Sequence, residues 1–173
     1  SFESSKKAMI SFALQGPKSS IGDQALTTVT RYTEQPPIWK NTSTLIGSVS
    51  PVVYGATFAQ NNDITLRQNA NATGDSGYET ARITGRRPTM TFSQEWLLAS
   101  EFAAITGYDA GTDYVLTTTL GSVAGKKIVF YADEAEISAL PLGDTDGVVS
   151  TDIEFLLKGT GNNTDREYEW LFI

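Results

Sequence analysis

The stretch VVSTDIEFLLK, residues 148–158, has the clearest structural pattern in this chain. Apolar residues occupy every second position from Ile153 to Leu157, while Asp152 and Glu154 occupy the alternate positions. Successive side chains of a β-strand point to opposite faces of its sheet. The alternation therefore predicts a strand with one apolar face and one acidic face.

Other segments of the chain share this period of two. It predicts further strands over residues 10–14, 114–120, 126–132, 134–140 and 166–173. Turn residues separate several of these segments, and the sequence GDTDG at 143–147 predicts a hairpin turn rather than a calcium loop, because the further ligands of such a loop are missing. Short strands at regular spacing predict a mainly β fold, an antiparallel β-sandwich or barrel.

One helix is predicted within the β-fold, over Gln94–Ile105. Leu98 and Phe102 recur there at helical spacing, Ser93 is the predicted N-cap, and Gly107 is the predicted stop. A single helix in such a domain is expected to fill the core.

The region between the first predicted strand and the main β-region has a different character. Residues 17–50 contain few periodic apolar positions, and connections this long are usually functional or disordered. Two interpretations fit Ile38 and Trp39, which lie within it. They anchor an extended arm on a neighbouring subunit, or the arm folds back on its own domain, assigned to residues 51–173.

Composition removes several classes of chemistry. The chain has neither Cys nor His, which excludes thiol nucleophiles, Ser-His-Asp relays, disulfides and the common structural zinc sites. A glycosidase needs only two carboxylates, so composition alone does not exclude that reaction. We expect a protein that is not an enzyme, with no catalytic residues, no metal and no cofactor. No apolar run is long enough to span a bilayer, and we expect no membrane partner.

Charge is distributed unevenly along the chain. The net charge is −7, and residues 133–173 contain ten acidic residues against Lys158 and Arg166. If the acidic strands share a face, that face repels nucleic acid. A complementary basic group lies elsewhere in the sequence: Arg82, Arg86, Arg87, Lys126 and Lys127. The alternative is an acidic surface that only confers solubility.

Several sequence elements, in this order, resemble a known family. They are ITGRRPT at 83–89, the predicted helix, TLGSVAGK at 119–126, GDTDG at 143–147, FLLKG at 155–159, and a polar Asn162-Asn163 turn before the last strand. The chain resembles the major tail tube proteins of long-tailed, non-contractile phages over residues 78–173. Residues 1–16 then resemble the terminal strand of an upstream portion found in such proteins.

The resemblance implies a structural virion protein made in the host cytoplasm. Its copies would join into rings, usually hexameric, that stack into a tube for genome delivery. Its partners would be itself, other tail proteins, and DNA that passes through the lumen without specific binding. The candidate subunit-interface residues are Ile38, Trp39, Arg82, Arg86 and Arg87. The candidate lumen residues are Glu134, Glu136, Asp152 and Glu154, and the competing placement has these acids facing solvent.

Two other functions remain open at this point. A different tail component, such as a baseplate or terminator subunit, would share the fold. A carbohydrate-binding module would instead expose Trp96 and Trp170 as stacking platforms.

Overall fold

The structure is a computed structural model that describes residues 1–3, 9–16, 38–40, 43–71, 77–160 and 166–173. The chain divides into two compact units. The first unit consists of Ser1–Ile10, Pro36–Gln60 and Arg87–Ile173, and the second of Ser11–Gln35 and Asn61–Arg86. The elements are β1 (Phe2–Glu3), β2 (Thr44–Ile46), β3 (Val53–Ala59), β4 (Asn62–Gln68), β5 (Tyr78–Arg86), β6 (Thr89–Glu95), α1 (Ala104–Ala110), β7 (Asp113–Leu120), β8 (Ile128–Ala139), β9 (Leu142–Thr145), β10 (Val148–Lys158) and β11 (Glu169–Phe172).

All strands of the first unit pair antiparallel, in the order β1-β3-β6-β10-β8-β7-β2. The short strand β9 pairs with β10, and β11 pairs with β8. Strands β8 and β9 follow one another along the same edge of β10, because β6 occupies the opposite edge. The predicted fold class is confirmed as mainly β and antiparallel, with sandwich-like sheets. The described strands do not close into a barrel.

Alternating side chains of the central strands form the core. Met90 and Phe92 on β6 and Ile153 and Phe155 on β10 are fully buried. Burial of each such side chain contributes about 1.5–3 kcal/mol. The rings of Phe92 and Phe155 meet edge to face, with centroids 6.2 Å apart. The strand predicted from residues 148–158 is therefore confirmed as β10, at the centre of the sheet.

Trp170 on β11 and Tyr168, just before that strand, pack against one side of this core. The Trp170 ring lies 5.0 Å from Phe130 and 5.7 Å from Phe58, and the Tyr168 ring lies 4.7 Å from Phe58. Phe172, two positions after Trp170, is instead exposed. Trp170 is thus partly buried and packs against the core, so it is not a fully exposed platform of the kind that a carbohydrate-binding module would need.

The predicted helix boundaries are wrong. Ser93 and Gln94 belong to β6, and α1 begins ten residues later, at Ala104. Inward-facing Gln94 continues the strand alternation of Met90 and Phe92, and strand pairing on both edges of β6 overrides the helical spacing. The predicted stop, Gly107, lies inside the helix, which ends at Ala110 and is capped by Gly111 with φ of 61°.

Three strand predictions also need correction. Residues 10–14 lie outside any described strand, and Ile10 and Phe12 are exposed because no described strand pairs with them. The two strands predicted over 126–140 are one strand, β8, in which an extra residue is accommodated opposite Tyr114 and Leu116. Strands β3 to β6 were not predicted at all.

The second unit contains a two-stranded hairpin of β4 and β5. Thr65 lies opposite Arg82, and Asn62 lies opposite Arg86. Across the same hairpin, Arg67 and Glu79 form an ion pair.

Only part of the predicted arm, residues 17–50, lies within the described residues. Trp39 is 6% exposed and belongs to the core of the first unit, whereas Ile38 is exposed. Thr44–Ile46 forms β2, which pairs with β7. For Trp39 and β2, the arm therefore folds back on its own domain. The assignment of residues 1–16 to an upstream portion stays a prediction.

Candidate functional site

The acidic candidates lie on one face of the central sheet. Register pairs Glu134 with Lys158 and places Asp152 and Glu154 opposite Ser93 and Thr91. The neighbours in sequence that alternate with them, such as Ile153 and Phe155, point into the core. We define the acidic face by its five carboxylates and one lysine: Asp113, Glu134, Glu136, Asp152, Glu154 and Lys158. These six side chains carry a net charge of −4.

Lys158 is the cation of this face. Its Nζ donates to Asp113 Oδ1 at 2.9 Å and forms an ion pair with Glu136. Asp113 lies opposite Glu136 on neighbouring strands, so their carboxylates would repel one another without a cation. The hydrogen bonds to Glu136 and Asp113 raise the pKa of Lys158 above its ordinary value. Lys158 therefore fixes the two acids in place.

Hydroxyl groups hold two further acids of the face. Ser93 Oγ donates to Asp152 Oδ1 at 2.5 Å, and Ser138 Oγ donates to Glu154 Oε1 at 2.7 Å. Both bonds join neighbouring strands. Hydrogen bonds to an ionised acceptor are stronger than neutral ones. The arrangement holds a set of negative charges on one face of the sheet.

A further acid lies at the end of β6. Tyr54 donates its hydroxyl hydrogen to Glu95 Oε1 at 2.8 Å. The hydrogen bond to Glu95 is the largest cause of the raised pKa of Tyr54, followed by burial. Tyr54 thus stays protonated and holds Glu95 in position.

The basic candidates belong to different elements of the chain. Arg82 and Arg86 are on β5 in the second unit, while Arg87 belongs to the first unit, just before β6. Lys126 and Lys127 lie in the loop between β7 and β8. Whether Arg82, Arg86, Arg87 and Ile38 contact another subunit stays a prediction, as does the facing of Glu134, Glu136, Asp152 and Glu154 toward a lumen.

Sequence reasoning found four of the five acids of the face but missed Asp113 and its bond to Lys158. Asp113 begins β7, more than twenty residues before Glu136 in sequence, and only the register of β7 with β8 brings the two together. Strand alternation predicts the face of a residue, but pairing partners depend on topology.

The acidic face has no feature typical of a metal centre. In the part of the chain that the structure describes, no group of three or more acidic side chains could hold a metal ion. The described residues also include no helix with the length and hydrophobicity needed to cross a membrane. The face can present fixed negative charge to a binding partner or to the inside of a channel.

Comparisons with known proteins give one informative result. No protein-family model matches the chain, and no curated protein matches its sequence. Among solved structures, the chain is similar to the cap of the anti-feeding prophage, described as a tube-terminating cap, with a TM-score of 0.55 and 13% sequence identity. The similarity covers 84% of this chain and 97% of the cap chain. At this identity the likeness is one of fold.

Proposed function

We propose that this chain is a structural component of a phage-tail-like tube, assembled by self-association into rings. The observation that carries the proposal is the fold likeness to a tube-terminating cap, which extends over 97% of that chain. The resemblance of residues 78–173 to major tail tube proteins supports the same class of protein from the sequence.

The acidic face supports a role for the assembled ring as a conduit. Binding of proteins to DNA depends on Lys and Arg that replace the counterions of the phosphates. A wall of fixed carboxylates, with Lys158 held by Asp113 and Glu136, offers no such replacement. We place Glu134, Glu136, Asp152 and Glu154 on the lumen side, where they would let DNA pass without binding it.

We further propose that the rings are hexameric and stack into a tube in the virion. The genome would be delivered through this tube. Its partners are further copies and other tail proteins, and it has no enzymatic activity. The second candidate is a terminating cap, which the solved neighbour favours. A cap would form one ring and stop, whereas a tube protein would stack rings.

The experiment is direct imaging of assembly. Purified chain at increasing concentration is examined by negative-stain electron microscopy and by sedimentation velocity. Stacked rings support the tube, and single rings of fixed size support the cap. A chain that remains monomeric at high concentration, alone and with tail tubes as templates, would overturn both.

A further inference from the structure

One end of the first unit exposes apolar side chains next to acidic ones. Leu142, Val148 and Val149 belong to the hairpin of β9 and β10 and are 45% to 65% exposed. Asp144 and Asp146 lie in the same hairpin and are also exposed. Residues 141–149 contain no basic side chain. We name this surface, defined by these five residues, the hairpin end.

A defined turn and a side-chain hydrogen bond hold the hairpin end. Asp146 and Gly147 form a two-residue turn with φ of 53° and 84°, as a type I′ turn requires. The Gly147 N–H donates to Asp144 Oδ1 at 3.1 Å. The apolar side chains are therefore presented in a fixed geometry, and their exposure is not the result of a frayed segment.

A second exposed apolar surface has the opposite charge. Val123, Leu171, Phe172 and Ile173 are 44% to 76% exposed. They adjoin Lys126 and Lys127, and residues 121–127 and 170–173 contain no acidic side chain. Backbone bonds of 2.9 Å and 2.8 Å join Ile173 to Lys127, so this surface is also held in place. We name these six residues the terminal end.

The two surfaces lie at opposite ends of the continuous path formed by β8 and β9. Phe172 pairs with Ile128 at the start of β8, and Ala139 at its other end pairs with Glu154. Twelve residues of β8 span about 36 Å. Strand β9 then continues along β10 to the hairpin turn. No single copy can bring its own two ends together along this line.

We infer that the hairpin end of one copy docks against the terminal end of the next, an inference that rests on the self-assembly proposed above. Contiguous patches of exposed apolar side chains, especially with charged residues around them, mark interaction surfaces. Charge selects the pairing, because acid on one end meets lysine on the other, while each end repels its own kind. The contact is head-to-tail, and such contacts generate closed rings or open filaments.

A pair of complementary variants tests the direction of the contact. Leu142→Gln with Val148→Gln removes two of the three apolar side chains of the hairpin end, and Leu171→Gln with Phe172→Gln removes two of the four of the terminal end. Each variant alone is expected to stop at a smaller assembly than the wild type. An equimolar mixture of the two variants is expected to form assemblies of twice that size. The unchanged terminal end of the first variant can still dock against the unchanged hairpin end of the second.

The matched control changes two exposed apolar residues of α1 that belong to neither end, Ile105→Gln with Tyr108→Gln. This variant is expected to assemble like the wild type. If both end variants also assemble like the wild type, the docking is wrong and the proposed function survives. If the wild type itself never assembles, both are wrong.

Cross-linking provides a second test that does not depend on weakening the fold. The chain contains no Cys, so introduced thiols are unique. Val148→Cys combined with Phe172→Cys is expected to give a ladder of disulfide-linked multimers on oxidation, and either change alone is not. Val148→Cys combined with Thr117→Cys is the control and is expected to give no ladder. If the Val148→Cys, Phe172→Cys variant assembles but gives no ladder on oxidation, the proposed docking is wrong.

Discussion

A β-carbon on Gly107 would overlap the hydroxyl oxygen of Tyr114, because α1 packs directly on that side chain. The Tyr114 ring has little freedom to withdraw. Its centroid lies 5.3 Å from Phe102 and 6.2 Å from Phe155, and both contacts are edge to face. The helix can pack this closely on the sheet because Gly107 has no side chain.

This contact reverses the usual effect of an alanine substitution. In a helix interior, Gly→Ala normally stabilises by about 1 kcal/mol. Here the inserted methyl overpacks the core, which costs about 1–3 kcal/mol, so we expect Gly107→Ala to lower the free energy of unfolding. Urea denaturation of the wild type and the variant measures this change in the free energy of unfolding. Adding Tyr114→Phe should recover part of the loss. Gly143→Ala should change stability little, because the new methyl meets only Ser150, its Oγ at 3.5 Å and its carbonyl oxygen at 3.9 Å.

The pair of buried threonines between β2 and β7 predicts a non-additive mutant cycle. Thr44 Oγ1 and Thr118 Oγ1 lie 2.8 Å apart and are both buried. Thr44→Val leaves the Thr118 hydroxyl without this partner, at an expected cost of about 1–3 kcal/mol. Changing both to Val should cost clearly less than the sum of the two single changes. Additive losses in thermal or urea unfolding would contradict the hydrogen bond.

The strength of the apolar alternation explains which strands the sequence could predict. Ile153, Phe155 and Leu157 stand out by size, so β10 is predicted correctly. Strand β6 uses Met90, Phe92 and buried Gln94 as its inward residues, and a glutamine breaks the apolar pattern. Its inward direction is set by pairing with β3 and β10, which a local window does not contain.

Part of the acidic face could also be predicted from the alternation of residues along a strand. Asp152 and Glu154 alternate with core residues, so their common side follows from the period of a strand. The approach of Asp113 and Glu136 to Lys158 depends on the register of β7, β8 and β10, which has an extra residue in β8. Register of that kind is a property of the whole sheet.

Lys158 predicts a pH-dependent contribution to stability. Replacement by Met leaves Asp113 facing Glu136 without a cation, and we expect a loss of about 0.5–1 kcal/mol at pH 7, since the ion pairs are partly exposed. The pKa of Lys158 is raised by Glu136 and Asp113. The contribution is therefore complete below the unfolded pKa of about 10.4 and is lost as pH rises through the higher folded pKa.

Urea denaturation of the wild type and Lys158→Met at pH 7 and in the alkaline range measures this contribution. The difference between the two should shrink as pH rises. Lys40→Met, at an exposed position away from these acids, serves as the control and should show no such change. A difference that stays constant into the alkaline range would show that Lys158 contributes through its hydrocarbon chain.

The placement of the acidic face toward a lumen predicts how assembly responds to neutralised acids. In a ring whose acidic faces point inward, the carboxylates of neighbouring copies converge, and unit charges about 10 Å apart in water repel by about 0.4 kcal/mol. Glu134→Gln with Glu154→Gln removes several such repulsions per copy, so we expect the concentration needed for assembly to fall about tenfold. Sedimentation velocity at low salt measures that concentration.

The matched control removes the same charge elsewhere. Glu101→Gln with Asp63→Asn neutralises two exposed acids that lie outside β7, β8 and β10, the strands that carry the acidic face. On an outward-facing sheet the carboxylates of neighbouring copies diverge, so both double variants would then shift the assembly concentration by the same small amount. Equal shifts would place the acidic face on the outside of the ring, whereas a shift confined to Glu134→Gln with Glu154→Gln would support the lumen side.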